Sequence, residues 1–125
     1  MDDLILERYS RQLLVPGFDL EAQERLAASR VLVVGCGGLG SPAAMYLAAM
    51  GVGRLTLVDH DVIELSNLPR QIGFTEVDVG RLKSEVLAER LRAMNTQIII
   101  AHEPVSFDRS VAEALLSETD RKSVV

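Results

Sequence analysis

The apolar positions along this chain change their period repeatedly, and each change marks an element. Residues 3–15 (DLILERYSRQLLV) carry apolar side chains at mixed helical spacing and stop at Pro16-Gly17. A short helix is predicted over 19–29, with Asp19 as its cap and Leu20, Ala22, Leu26 and Ala27 among its apolar positions. At Arg30 the pattern switches. Val31-Leu32-Val33-Val34 is a continuous apolar run of the kind that is buried on both faces of a parallel sheet. Gly35-Cys36-Gly37-Gly38-Leu39-Gly40 follows, and then a helix over 41–50 (SPAAMYLAAM) that tolerates Pro42 in its first turn and stops at Gly51-Val52-Gly53. Leu55-Thr56-Leu57-Val58-Asp59 reads as a second strand. Residues 60–78 form a long irregular stretch with Pro69 and Gly73, a length that in a compact domain goes with function or disorder. A helix is predicted over 79–94, with Asp78 as its cap and Val79, Leu82, Val86, Leu91 and Met94 on one face. A strand over 97–101 and a helix over 109–118, capped by Asp108, complete the pattern.

The alternation predicts an α/β fold, a Rossmann-type doubly wound parallel sheet of which the chain holds the N-terminal βαβαβ half. Residues 1–29 are a helical lead-in, 30–118 a nucleotide-binding half-domain, and 119–125 a truncated or non-native tail standing where another strand is expected. One edge of the sheet is then expected bare, making the chain alone poorly soluble or prone to pair through that edge. With 125 residues, 48% hydrophobic and 25% charged, the chain has the make-up of one soluble globular domain. No window approaches the ~18 uninterrupted apolar residues of a membrane span. The acidic start lacks the basic region of a secretory signal. Cys36, the single cysteine, excludes an internal disulfide and a four-thiolate zinc site, and suits the reducing cytoplasm. A net charge of −5 speaks against general nucleic-acid binding, so neither nucleic acid nor membrane is expected as a partner.

The candidate chemistry lies where the first strand meets its helix. Gly35-x-Gly37-x-x-Gly40 in that position lets the backbone turn tightly and lets phosphate approach the amides of a helix N-terminus. Asp59, nineteen residues after Gly40, can accept hydrogen bonds from ribose hydroxyls, its plainer reading being a turn aspartate. Ser66-Asn67-Leu68-Pro69-Arg70-Gln71 occupies the long loop, and Lys83 the following helix. Loops leaving the carboxyl ends of strands line the ligand crevice, so Arg70 and Lys83 are expected to converge there, although both also suit a solvated surface. Two fixed cations beside a phosphate loop fit a triphosphate better than a dinucleotide. Cys36 reads as a small side chain that fits the loop rather than a nucleophile. His60, between Asp59 and Asp61, reads as a loop histidine rather than a metal ligand, and His102 as a strand-end residue. Met45, Met50 and Met94 read as core filling. Glu85, Glu89, Arg90 and Arg92 read as a solvated helix face with i,i+4 partners.

Taken together, Arg8-Tyr9-Ser10-Arg11-Gln12, VLVVGCGGLGSPAAMYLAAMGVG, LVDHDVIELSNLPRQ and DVGRLKSE resemble the ubiquitin-activating superfamily. Within it they are most similar to the ThiF/MoeB/HesA adenylyltransferases, the molybdopterin-synthase type among them, over residues 8 to about 118. The resemblance implies an enzyme that uses Mg2+ and ATP to adenylate the C-terminal glycine of a ubiquitin-like sulfur-carrier protein, as a cytoplasmic homodimer in molybdenum-cofactor or thiamine pathways. It implies that Gly35, Gly37, Gly38 and Gly40 cradle phosphates, that Asp59 holds the ribose and that Asp61 lies near the nucleotide. Asn67, Arg70 and Lys83 would contact the triphosphate, and Arg11 would reach the neighbouring subunit's site. The family's metal-binding aspartate and its CxxC zinc ligands have no counterpart in this sequence, so zinc is expected only in a C-terminal half. Two alternatives share the glycine loop: a non-catalytic nucleotide-binding relative, and an NAD-dependent oxidoreductase fragment. The second leaves Arg70, Lys83 and the RYSRQ segment unexplained.

Overall fold

The computed structural model describes residues 3–116 and 122–124. Four parallel strands, β1 (Arg30–Val34), β2 (Arg54–Val58), β3 (Ile99–Glu103) and β4 (Lys122–Val124), form one sheet in the order β3-β2-β1-β4. The helices are α1 (Asp3–Arg8), α2 (Leu20–Ala28), α3 (Gly40–Met50), α4 (Lys83–Met94) and α5 (Arg109–Leu116). In the sheet register Val31 pairs with Leu55 and Val33 with Leu57, while Leu55 pairs with Ile100. These side chains share one face. They form the core with Ala44 and Ala48 of α3 and Val86, Leu87, Ala88 and Leu91 of α4. Leu32, on the opposite face of β1, is also buried, which is why the run has no polar alternation. Each large aliphatic side chain so buried contributes roughly 1.5–3 kcal/mol.

The N-terminal segment is held by polar ties at the C-terminal end of α3. Asn95, with no exposed surface, donates to the Tyr9 hydroxyl at 2.8 Å and to Ala48 O at 2.9 Å. Gln12 and Gln23 both donate to Met50 O, at 2.9 and 3.1 Å, and bond to each other.

The structure moves several expected boundaries. The 3–15 segment is helical only over Asp3–Arg8 and resumes as a 3-10 turn over Gln12–Leu14. Asp19 and Asp108 cap α2 and α5 as expected, accepting from Ala22 N and Val111 N. The helix expected from 79 begins at Lys83, because Gly80 takes φ +92° and Leu82 is extended. Val79 is therefore exposed in a loop. The strand expected over 97–101 lies at Ile99–Glu103, since the Asn95 side chain accepts from Gln97 N and holds 95–97 in a turn. His102 stands inside that strand rather than at an expected end. Met50 and Met94 are each 41% exposed, so of the methionines read as core filling only Met45 packs against the core. β4 pairs with β1, Arg30 opposite Lys122 and Leu32 opposite Val124, so among the described residues the sheet is open at β3 and at β4. Residues 117–121, which carry the expected end of the last helix and part of the expected tail, lie outside the described residues.

The charged face expected on α4 is found in part: Glu89 and Arg92 are exposed and Glu85 has an i,i+4 partner in Arg81, but the charges also make longer-range bonds. Arg92 donates to Ile100 O at 2.8 Å, and Arg81 in the loop pairs with Glu85 at 3.2 Å and with Glu89. Arg90 bonds to the buried carboxylate of Asp78. Asp78 does not cap α4; it closes the 3-10 turn before it, accepting from Thr75 N at 2.8 Å and Thr75 Oγ1 at 3.0 Å. Burial by itself pushes the Asp78 carboxyl up, but the Thr75 N–H, the Arg90 guanidinium and the Thr75 hydroxyl outweigh it and hold the carboxyl below its usual range. A depressed carboxyl contributes stability above its unfolded value and loses it as the pH falls through the lower folded value. Asp78→Asn is therefore expected to lower stability by about 1.5–3 kcal/mol at neutral pH. In urea unfolding across pH, that gap should close below about pH 4; a gap that persists in acid would show that the charge is not its source.

Candidate nucleotide site

The site grows from the junction of β1 and α3. Gly35 turns the chain at φ +91° and donates to Val58 O at 2.8 Å, joining the end of β1 to the end of β2. A Cβ on Gly40 would stand 1.7 Å from Gly35 O, so only glycine lets the loop close into α3. Ser41, fully buried, donates its hydroxyl to Cys36 O at 2.7 Å. Gly37, Gly38 and Gly40 thus lie where α3 begins, with its N-terminal amides and positive dipole end at the loop.

Asp59, one residue past β2, fixes the opposite wall. Its carboxylate accepts from Cys36 N and from Asp61 N, each at 2.7 Å. Asp61 in turn accepts at its backbone oxygen from Lys83 N at 3.0 Å. The Lys83 side chain is 8% exposed, with Nζ 3.7 Å from an Asp61 carboxylate oxygen. A lysine so deeply buried with a single loose carboxylate partner is uncommon. Its charge is felt at the glycine loop: the Cys36 thiol is pushed up to about 12 by burial and by Asp59, with Lys83 opposing. Cys36 is therefore a protonated thiol that fits the loop, in keeping with its sequence reading. His60 is an exposed loop residue, 3.3 Å from the Asp61 carboxylate.

Gly35, Asp59, His60 and Asp61, with Val105 and Phe107 after β3, help line a cleft of about 350 Å3 over the strand ends. The structure therefore brings together the glycine loop, Asp59, Asp61 and Lys83. Arg70 is close through its backbone, its carbonyl 3.7 Å from where a Gly38 Cβ would stand, while its side chain is exposed. Asn67 is 8% exposed and accepts from Glu64 N at 2.9 Å in a reciprocal cap of the 3-10 turn Leu65–Asn67. Arg11 is exposed and distant within its own chain. Its neighbour Gln12 is tied to Met50 O, at the far end of an 11-residue helix, which spans about 16 Å.

Sequence reasoning did not single out Val105, Phe107, Ser41 or Gln71. Gln71 packs on the loop with Nε2 3.4 Å from where a Gly37 Cβ would stand. Its place beside Arg70 in the long loop was the available signal; for Val105 and Phe107 the signal was a segment leaving a strand's carboxyl end.

Residues 9–121 match the ThiF family. The chain is 55% identical over 106 residues to the adenylyltransferase and sulfurtransferase MOCS3 of Mus musculus, covering 85% of this chain and 22% of that protein. It is 46% identical over 125 residues to the sulfur carrier protein ThiS adenylyltransferase of Escherichia coli (strain K12), covering 100% of this chain and 49% of that protein. Among solved structures, E. coli tRNA N6-threonylcarbamoyladenosine dehydratase TcdA in complex with ATP superposes with a TM-score of 0.86 at 31% identity, over 94% of this chain and 48% of that one. The chain thus spans about half or less of the length of these relatives. With the family match running from the N-terminal segment through the last helix, the chain belongs to the ThiF family.

Proposed function

We propose that the chain carries the ATP site of an adenylyltransferase that activates the C-terminal glycine carboxylate of a ubiquitin-like sulfur-carrier protein of the molybdopterin or thiamine type. The observation that carries this reading is the buried Lys83 side chain, beside Asp61 and so tied through Asp59 to the glycine loop. An NAD-dependent oxidoreductase would use the loop and Asp59 and leave that buried charge without a task. An ATP triphosphate gives it one.

In this reading the Gly35–Gly40 loop and the N-terminus of α3 hold phosphates, and Asp59 accepts the ribose hydroxyls with the lone pairs its two backbone bonds leave over. The carrier carboxylate oxygen attacks the α-phosphorus. The bond from the α-phosphorus to the bridging oxygen breaks, and its electron pair leaves with pyrophosphate. No base is required, because the nucleophile is already ionised at neutral pH. What the step does require is cationic screening of two approaching anions, supplied by Lys83, by Arg70 and by Arg11 of a second copy in a homodimer. Asn67 adds an amide to the triphosphate.

ATP would arrive with Mg2+. The ligand atoms of Asp59, His60 and Asp61 lie within 4.8 Å of one another, yet this group does not fit as the metal's holder. In this reading the lone pairs left on Asp59 go to the ribose, and the Asp61 carboxylate is already shared with His60 and Lys83. With Cys36 as their single cysteine, these 125 residues hold no CxxC pair of zinc ligands. Among the described residues no helix is long and apolar enough to cross a membrane. ATP chemistry and a single thiol accord with a cytoplasmic setting.

Two measurements test the reading. Lys83→Ala is expected to lower carrier-dependent exchange of labelled pyrophosphate into ATP by about 10^2- to 10^3-fold; undiminished exchange would refute the role given to Lys83. Arg11→Ala and Lys83→Ala proteins, each inactive, should on mixing recover up to about a quarter of wild-type exchange, because half the molecules become mixed dimers with one intact site. No recovery from subunits shown to exchange would place Arg11 outside the neighbour's site.

A further inference from the structure

Gln71 is 7% exposed, and its side-chain Oε1 is buried without a hydrogen-bond partner. Its backbone is fixed by the turn, with Gln71 N bonded to Asn67 O at 2.9 Å and Gln71 O accepting from Phe74 N at 3.3 Å. The side chain therefore lies over the glycine loop, with Nε2 3.4 Å, Cδ 3.7 Å and Oε1 4.0 Å from where a Gly37 Cβ would stand. An acceptor left unsatisfied in the interior biases folding against itself by about tenfold to a hundredfold, so a buried polar atom without a partner calls for an explanation. Here the orphan belongs to a side chain that lies against the glycine loop.

We propose that the Gln71 amide is a direct contact of the bound nucleotide, its Oε1 accepting from a donor that the ligand brings. That donor is either a ribose hydroxyl or a water carried on the metal–triphosphate. The proposal rests on the ATP reading above. It explains why an amide is kept where a leucine or methionine would fill the space: apolar side chains would remove an unpaired buried group but offer nothing to the ligand. A residue that merely packs on the loop behaves in the opposite way, since its loss weakens the empty protein and leaves the ligand's own bonds intact.

The test compares wild type with Gln71→Leu and Gln71→Met, two apolar side chains of different shape. Thermal unfolding without ligand and calorimetric titration with Mg2+ and ATP are measured on each. Unliganded stability equal to or above wild type, together with an ATP dissociation constant raised about tenfold or more, is the expected result. ATP binding within twofold of wild type overturns the proposal. So does a loss of affinity that in both variants comes with lower unliganded stability. A wild-type protein that fails to bind ATP refutes the nucleotide reading itself and this contact with it. Tripolyphosphate with Mg2+ separates the two donors. A penalty that persists there assigns the donor to the metal–triphosphate, and one confined to ATP assigns it to the ribose.

Discussion

The carboxylate of Asp59 ties the site into one piece. One oxygen takes the Cys36 N–H at the end of β1, and the other takes the Asp61 N–H in the turn after β2. Asp61 then receives the Lys83 N–H, which starts α4. Two strands and two helices are thereby registered to one another by three backbone amides. Remove the carboxylate and the glycine loop loses its link to the wall that carries the lysine. Bonds of this charge-assisted kind are short and directional, so they fix position as well as contributing energy.

Around this tie the polar and apolar parts of the interior are separated along α3. Its middle is alanine, with Ala44 and Ala48 fully buried against the sheet and α4. Its C-terminal end is held by amide side chains, Gln12, Gln23 and Asn95, which anchor the N-terminal segment. At its N-terminal end sit Ser41 and Gln71, polar groups buried at the glycine loop, with buried Lys83 beside Asp61 on the facing wall. The same helix thus serves as an apolar strut between a structural polar cluster and a ligand-facing one. The first cluster satisfies itself, and the second leaves Gln71 Oε1 unpaired.

Much of this was legible in the sequence, for identifiable reasons. The glycine loop is a local feature, and its flanking strand and helix are set by the Val31–Val34 run and the small residues after Gly40, so its position followed directly. Asp59 was readable because it ends a strand at a fixed distance from that loop. What was not legible depends on chain closure at long range. Val79 fits the helical spacing of α4, but Gly80 bends the chain out of it. Ile98 belongs to the apolar run of β3, yet the Asn95 side chain holds Gln97 in a turn and delays the strand. Arg90 looks like a surface charge until the 75–78 turn brings Asp78 beneath it. Gln71 was unremarkable as a residue and became significant only once the loop had folded over Gly37.

The condition of Cys36 has a practical side. The chain's single sulfhydryl is buried beneath the loop and held in its neutral form up to about 12, leaving almost no thiolate to attack an oxidant or a maleimide at working pH. The native chain is therefore close to silent toward thiol chemistry. A cysteine introduced at an exposed position, such as Leu39 or Ile72 beside the crevice, would carry a fluorophore or spin label with almost no background from the parent residue.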